Sequence, residues 1–336
     1  MHALHRTLSL GFLALAPQAA TAGEHFVADF DQAVAIARKE GKDLFVDFTG
    51  SDWCGWCIKL DQEVFSHDEF LTAAKRSFVL VALDFPRGDE VKAQVPNPER
   101  NAELRDKYEV SDFPTCLLMT AEGDVYGQMG YQAGGPEKFV ADLEAFRTKD
   151  RKALLEAIAL VGEFEAAEGA AQVAVWERAV ALLETLGRES AVATRLAAPV
   201  RSALETDPDN AAGRKLRAVG ALLKSGQADG EVLEAAAALD PKNEHGLLEQ
   251  VLFAKLDRGF SSEEDVREFS AQVADLDAMG PIKDRQVAFW LYAVVADMND
   301  RHLDDAVTAR RFAKKAKAIG SEREDIMARL DEILGE

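Results

Sequence analysis

Apolar residues follow two different rhythms along this chain, and the change falls near residue 150. In the first stretch, short apolar runs alternate with segments of helical spacing. Phe30, Ala33, Val34 and Ala37 recur at the intervals of one helix face, and Gly41 ends that segment. DLFVDF (43–48) and FVLVALDF (78–85) are short continuous apolar runs, as buried strands are. IKLDQEVF (58–65) reads as a helix. SHDE (66–69) has the serine-to-glutamate spacing of a capping box, which predicts a second short helix opening there, with His67 part of the turn. NPER (97–100) predicts a helix with Asn97 as N-cap and Pro98 at its first position. TCLLM (115–119), the turn AEGD (121–124) and VYGQMGY (125–131) read as a β-hairpin, and GGPEKFVADLEAF (134–146) as a closing helix. Strands alternating with helices and ending in a hairpin predict an α/β sandwich over residues 23–148.

From residue 149 to 336 the strand signals stop and Ala, Leu and Glu dominate. Val173, Trp176, Val180 and Leu183 keep helical spacing, as do Val266, Phe269 and Val273, and Val287, Trp290 and Val294. SSEE (261–264) and SERE (321–324) read as caps, and Gly226, Gly259 and Gly320 as helix ends. DPDNAAG (207–213) returns as DPKNEHG (240–246), a shift of 33 residues that Gly226 and Gly259 share. Such a period predicts stacked helical hairpins, with Pro fixing φ and Asn capping the next helix. The element resembles the inter-repeat turn of tetratricopeptide repeats. An all-α helical-repeat or bundle domain is therefore expected. It either offers a groove to a peptide or protein, or only packs on the first domain.

Composition narrows the function. Lys and Arg total 39 against 59 Asp and Glu, a formal charge of −20, which repels phosphate backbones and anionic membranes and argues against nucleic-acid binding. Arg6 precedes an apolar run, Leu8 to Ala16, too short to span a bilayer, and Ala20-Thr21-Ala22 is a small-x-small cleavage signature. Residues 1–22 are thus expected to be a signal peptide, with a mature chain starting near Gly23, exported to the periplasm or secreted, and without a membrane span. No cysteine precedes Cys54, so no lipid anchor at the cleavage site is expected.

Only three cysteines occur, Cys54, Cys57 and Cys116, too few for a disulfide-stapled scaffold. Cys54 and Cys57 stand where the apolar run 43–48 hands over to a helix. Backbone N–H groups at a helix start carry partial positive charge and stabilise a thiolate, the reactive form. Cys54 is expected at the helix start, the more exposed of the two, with Cys57 one turn further in. A zinc site needs a second ligand pair, which is missing here, and covalent haem needs His after the second cysteine, where Ile58 stands. A structural disulfide across so short a loop stabilises little. Redox chemistry is the favoured reading, with no metal or cofactor. The apolar surroundings of Asp47 predict burial. Trp53 is expected to pack, Trp56 to stand partly exposed beside the sulfurs, and Cys116 to be a buried strand residue.

LFVDFTGSDWCGWCIKL (44–60) resembles the active-site strand, loop and helix start of the thioredoxin family, and DFPTCLLM (112–119) its cis-proline segment. The resemblance covers residues 24–148 and implies a thioredoxin fold. It implies that Cys54 is the attacking thiolate, Cys57 the resolving thiol, Asp47 a buried acid assisting proton transfer, and Pro114 the cis-proline. Trp53, Gly55, Trp56, Phe113 and Thr115 would position the substrate. The chain departs from the family's common pattern in its Gly-Trp dipeptide, in a loop one residue longer between Asp47 and Cys54, and in Phe113 before the proline. The extended TGSDWCGWC form is closer to exported thioredoxin-like proteins, including the periplasmic thiol:disulfide interchange group. The expected activity is thiol–disulfide oxidoreduction on protein disulfide clients with a thiol redox donor. The competing reading is a non-catalytic binding or assembly protein with an inert cystine. Cycling with dithiothreitol and reduction of insulin separate the two.

Overall fold

The computed structural model describes residues 25–188 and 190–336. The signal peptide read at 1–22 and the start near Gly23 lie outside the described residues. Among the described residues no helix is long and apolar enough to cross a membrane. Contacts divide the chain into two compact units between Thr148 and Lys149.

The first unit is built on β1 (Asp43–Thr49), β2 (Phe78–Asp84), β3 (Thr115–Met119) and β4 (Val125–Met129), in the order β2-β1-β3-β4. β1 runs parallel to β2 and antiparallel to β3, and β3 antiparallel to β4. Its helices are α1 (Phe30–Glu40), α2 (Gly55–Leu60), α3 (Asp68–Ser77), α4 (Asp89–Lys92), α5 (Pro98–Lys107) and α6 (Gly135–Ala145). Burial on both faces explains the unbroken apolar runs. On one face Leu44, Val46, Phe48, Val81, Leu83, Leu117 and Met119 pack with Phe30, Ala33 and Ala37 of α1 and Leu104 of α5. On the other, Phe45 meets Phe65, Phe70 of α3 and Phe139 of α6 edge-on. The period of two puts Asp47 on the Phe45 face. The register then sets Cys116 opposite Asp47 on β3 and Ala82 opposite it on β2, with Asp84 next on the same face.

Predicted elements form where expected, but several caps do not. Helix α2 runs into a π-helical turn, Asp61–Phe65, which claims Ser66 as its end. Ser66 N–H donates to Asp61 O at 2.9 Å and its hydroxyl to Gln62 O at 3.2 Å. The capping box at 66–69 is therefore not made, and α3 opens after His67 with no side-chain cap. Asn97 does precede α5, with Pro98 in its first turn, but its amide donates to the Asp29 carboxylate that caps α1.

The second unit is helical: α7 (Arg151–Ala166), α8 (Gly169–Leu183), α9 (Ala193–Arg201), α10 (Ala203–Thr206), α11 (Arg214–Lys224), α12 (Gly230–Leu239), α13 (Leu247–Arg258), α14 (Glu263–Met279), α15 (Arg285–Arg301), α16 (Ala306–Ile319) and α17 (Glu324–Leu334). The chain advances in pairs: α11 packs on α12 and α13, α13 on α14 and α15, and α15 on α16 and α17. The repeated turn has the same wiring in both copies. Asp207 accepts from Ala212 N and Arg214 N at 3.1 and 2.9 Å, and Asn210 from Leu216 N at 2.9 Å. Asp240 accepts from His245 N and Leu247 N at 3.0 and 2.9 Å, and Asn243 from Glu249 N at 3.4 Å, with an additional bond from Leu248 N at 3.1 Å. Asn210 and Asn243 have φ of 55° and 54°, a left-handed conformation asparagine tolerates. The aspartate caps alongside the asparagine, which the sequence reading credited alone. Of the predicted serine caps, Ser262 rather than Ser261 caps α14, accepting from Asp265 N at 3.1 Å, while Asp265 accepts from Ser261 N at 3.0 Å. Ser321 accepts from Arg323 N, and α17 starts after Arg323 with no side-chain cap.

Candidate active site

Cys54 is the N-cap of α2, in extended conformation, and its Sγ accepts from Cys57 N–H at 3.2 Å. The two sulfurs are joined in a disulfide, with Cα atoms 5.2 Å apart. The expected contrast in exposure is absent from this oxidised form, where Cys54 is 5% exposed and Cys57 4%. The distinction between them is position: Cys54 Sγ accepts from a helix-start N–H that has no partner within the helix, and Cys57 lies within the first turn.

The loop leading to Cys54 is tied to the segment after β2. Ser51 donates through N–H and hydroxyl to the Asp84 carboxylate at 2.9 and 2.5 Å. Asp52 accepts from Arg87 N at 3.0 Å and Gly88 N at 2.6 Å, and these two N–H groups hold its carboxyl below the usual range. Trp53 donates through Nε1 to Phe85 O at 2.8 Å, stacks under the Arg87 guanidinium at 3.8 Å and meets Phe113 at 5.9 Å. Trp53 makes these contacts while remaining 37% exposed, where packing was expected. It also fills the space above Gly50, where a Cβ would sit 2.6 Å from the indole.

The Phe113–Pro114 peptide bond is cis. Phe113 stacks on Phe85 at 5.2 Å, and the Thr115 hydroxyl donates to Asp112 O at 2.7 Å. Trp56 is 58% exposed and lies 5.0 Å from Tyr131, with Lys59 Nζ over both rings at 5.3 and 4.9 Å. Gly55 has open space where a side chain would project, so nothing at this position sterically requires glycine.

Asp47 is buried beneath this surface and accepts from Cys116 Sγ at 3.5 Å. Burial pushes its carboxyl up to about 7. The Cys116 hydrogen bond opposes the rise, and repulsion from Asp61 and Asp84 adds to it. Burial likewise pushes the Cys116 thiol well up, with the neighbouring Asp47 adding. Cys116 is thus the core residue expected, with a polar contact the sequence reading did not foresee. Asp47 and Cys57 line the same cleft of about 590 Å³, together with Asp61, Asp84 and Asn101. Among the described residues no cluster of three or more His, Cys, Asp or Glu is arranged to hold a metal ion.

Sequence reasoning missed Gly50, Asp52, Asp84, Phe85 and Arg87, which hold the loop, and Tyr131, which pairs with Trp56. A strand-end aspartate before Phe-Pro-Arg-Gly was the available signal for the first group. Tyr131 left none, because its contact is fixed only by the hairpin's packing.

Residues 30–147 match the family described as "Thioredoxin-like domain". The chain is similar to "Disulfide bond reductase DsbH" of Chlamydia pneumoniae, 32% identical over 118 residues, which are 34% of this chain and 69% of that protein. "Thioredoxin-related protein DsbJ" of the same organism is 29% identical over 110 residues, 32% of this chain and 31% of that protein. Among solved structures, a "DsbH Oxidoreductase" is 26% identical, with 42% of this chain and 96% of that chain covered and a TM-score of 0.33.

Proposed function

We propose, on the premise that this chain belongs to the thioredoxin-like family, that it is an exported thiol–disulfide oxidoreductase that reduces or exchanges disulfides in protein clients. The observation that carries this reading is the Cys54–Cys57 disulfide at the N-cap of α2, with Cys54 Sγ held by Cys57 N–H. On reduction, that N–H and the helix N-terminus stabilise negative charge on Cys54 sulfur. Cys54 thiolate attacks one sulfur of a client disulfide and the client's other sulfur leaves as thiolate. Cys57 then attacks Cys54 sulfur, the mixed disulfide breaks, and the second client thiolate leaves. Two electrons pass from the protein to the client, and a thiol donor restores the pair.

Asp47 is the acceptor of the Cys57 proton. A carboxyl near 7 is half ionised at neutral pH, which suits it to take and release a proton in each turn. The cis Phe113–Pro114 segment and Thr115 present backbone to the client chain, and the exposed Trp56 contacts residues flanking the client's cysteine. The helical unit contacts the client or a partner. Its cleft of about 330 Å³, lined by Arg217, Lys224 and His245 among others, supports that role. The reductive direction is taken from the name of the relative "Disulfide bond reductase DsbH". The full-length protein is expected to cycle with dithiothreitol and to reduce insulin; a pair that does neither is an inert cystine and overturns the reading.

A further inference from the structure

Arg87 follows the end of β2 and is held at both its backbone and its side chain. Its N–H donates to the two Asp52 carboxylate oxygens at 3.0 and 3.1 Å, and its guanidinium lies 3.8 Å from the centre of the Trp53 ring. Trp53 is the residue before Cys54, and it meets Phe113, the residue before the cis-proline, at 5.9 Å. The guanidinium is therefore one side chain away from both the cysteine pair and the cis-proline segment.

That guanidinium has no partner. Arg87 is exposed, and among the described residues its side-chain N–H groups make no hydrogen bond or ion pair. By contrast, Arg100, Arg105 and Arg147 of the same unit each bind a carboxylate, at 3.0, 2.8 and 2.9 Å. The nearby Asp52 carboxylate is taken up by the N–H groups of Arg87 and Gly88, and these bonds, more than the Arg87 charge, hold it low. Lys59 is a second stacked cation near the pair, over Trp56 and Tyr131, but it faces Glu63 at 3.8 Å. A guanidinium stacked on an indole keeps its N–H edge clear for a planar two-oxygen acceptor, and its fork matches a carboxylate. The chain carries a formal charge of −20, so an acidic client is repelled by most of this surface and needs a local cation to dock.

We propose, on the redox reading above, that Arg87 is a specificity residue of the client site: its guanidinium, mounted on Trp53, binds the carboxylate of an Asp or Glu within two residues of the client's reactive cysteine. Two residues of extended chain reach about 7 Å, which suits a cation mounted on the neighbour of Cys54. The sulfur chemistry is unchanged, and Arg87 takes no proton or electron. It acts on binding, so its contribution falls on KM more than on kcat.

The test uses the full chain, reduced, with synthetic peptides that each contain one disulfide. The peptides differ only in carrying Glu, Gln or Lys one or two residues before or after a cysteine. Rates are read at pH 7 and about 0.15 M salt, where screening over about 8 Å confines the comparison to charges near the site. The best-placed Glu peptide is expected to have a kcat/KM about fivefold above its Gln counterpart, mostly through KM, with the Lys peptide below both. Arg87→Gln keeps the backbone N–H that Asp52 accepts and is expected to bring the Glu-to-Gln ratio to about one. Arg87→Lys keeps the charge without the fork and is expected to leave a ratio of about two. Arg87→Glu is expected to turn the preference to the Lys peptide. A loosened loop alone lowers all three rates together and cannot invert their order. Equal rates for the Glu and Gln peptides in wild type, a preference that survives Arg87→Glu, or one lost instead in Lys59→Gln overturns the assignment and leaves the redox reading standing. A wild type that reduces none of the peptides overturns the redox reading, and with it a preference that then has no client.

Discussion

Both units bury polar side chains and match most of them, Asp43 in the first unit accepting from Tyr126 at 2.9 Å, but two in the first unit are left short of partners. In the helical unit the buried carboxylates are matched. Glu249 accepts from Lys283 N and Asp284 N at 2.9 Å each and from the Asn243 amide at 3.1 Å. Asp277 accepts from Tyr292, Arg311 and Lys315, and Asn299 donates to Ser270 Oγ and Val295 O. In the first unit, Asp47 has a single weak thiol donor and a raised carboxyl, and Asn101 has no partner among the described residues. A fully matched buried group serves only to fix geometry. A group left short of partners is held near a change of state, which is what a proton carrier needs.

The largest expected effect is on activity. Cys54→Ser should lower insulin reduction about a thousandfold or more, and Cys57→Ser should leave a client trapped on Cys54, visible by mass spectrometry. Faster labelling of Cys57 than of Cys54 by iodoacetamide at neutral pH would reverse the two roles. Next, Glu249→Ala should destabilise the helical unit by about 3 kcal/mol, because three donors lose their acceptor together. Urea unfolding measures this, and insulin reduction should be unaffected in the folded range.

Asp47→Asn should act with the opposite sign on stability. The folded carboxyl sits at about 7 against 3.8, so between these values the folded state holds a proton that the unfolded chain has lost. Stability therefore falls as pH rises through that window and stays low above it, a penalty on the order of 4 kcal/mol. Asparagine removes the penalty but loses the Cys116 hydrogen bond. The variant should be about 2 kcal/mol more stable than wild type at pH 8, the gain fading toward pH 4, while resolution slows about tenfold. A variant less stable at pH 8 would place Asp47 with the matched carboxylates. The smallest effect is expected from Cys116→Ala: about 1 kcal/mol of stability lost, and an upward move of the Asp47 midpoint because its one donor is gone.

The strand set was legible because both sheet faces are covered, so apolar runs stand out in the sequence. The cysteine pair was legible from its place between strand and helix, and Pro114 from the family resemblance. The capping box at Ser66 misled because a π-helical turn competes for the same serine, and local spacing carries no record of that competition. Asn101 was unreadable for a different reason. Its position on α5 is plain, but whether its amide finds a partner depends on side chains from other elements. The repeated turn was readable because its wiring is local, each donor lying within seven residues of its acceptor.

That locality has an evolutionary side. From Asp207 to the residue before Asp240, the sequence carries the instructions for starting its own next helix, including the cap, the left-handed asparagine and the glycine after it. A duplicated or deleted segment of 33 residues, the observed spacing, would bring or remove a complete set of these signals together. Growth or shrinkage of the array by such units leaves each remaining helix start intact. A lineage can then vary the length of this part of the protein while the residues around Cys54 remain as they are.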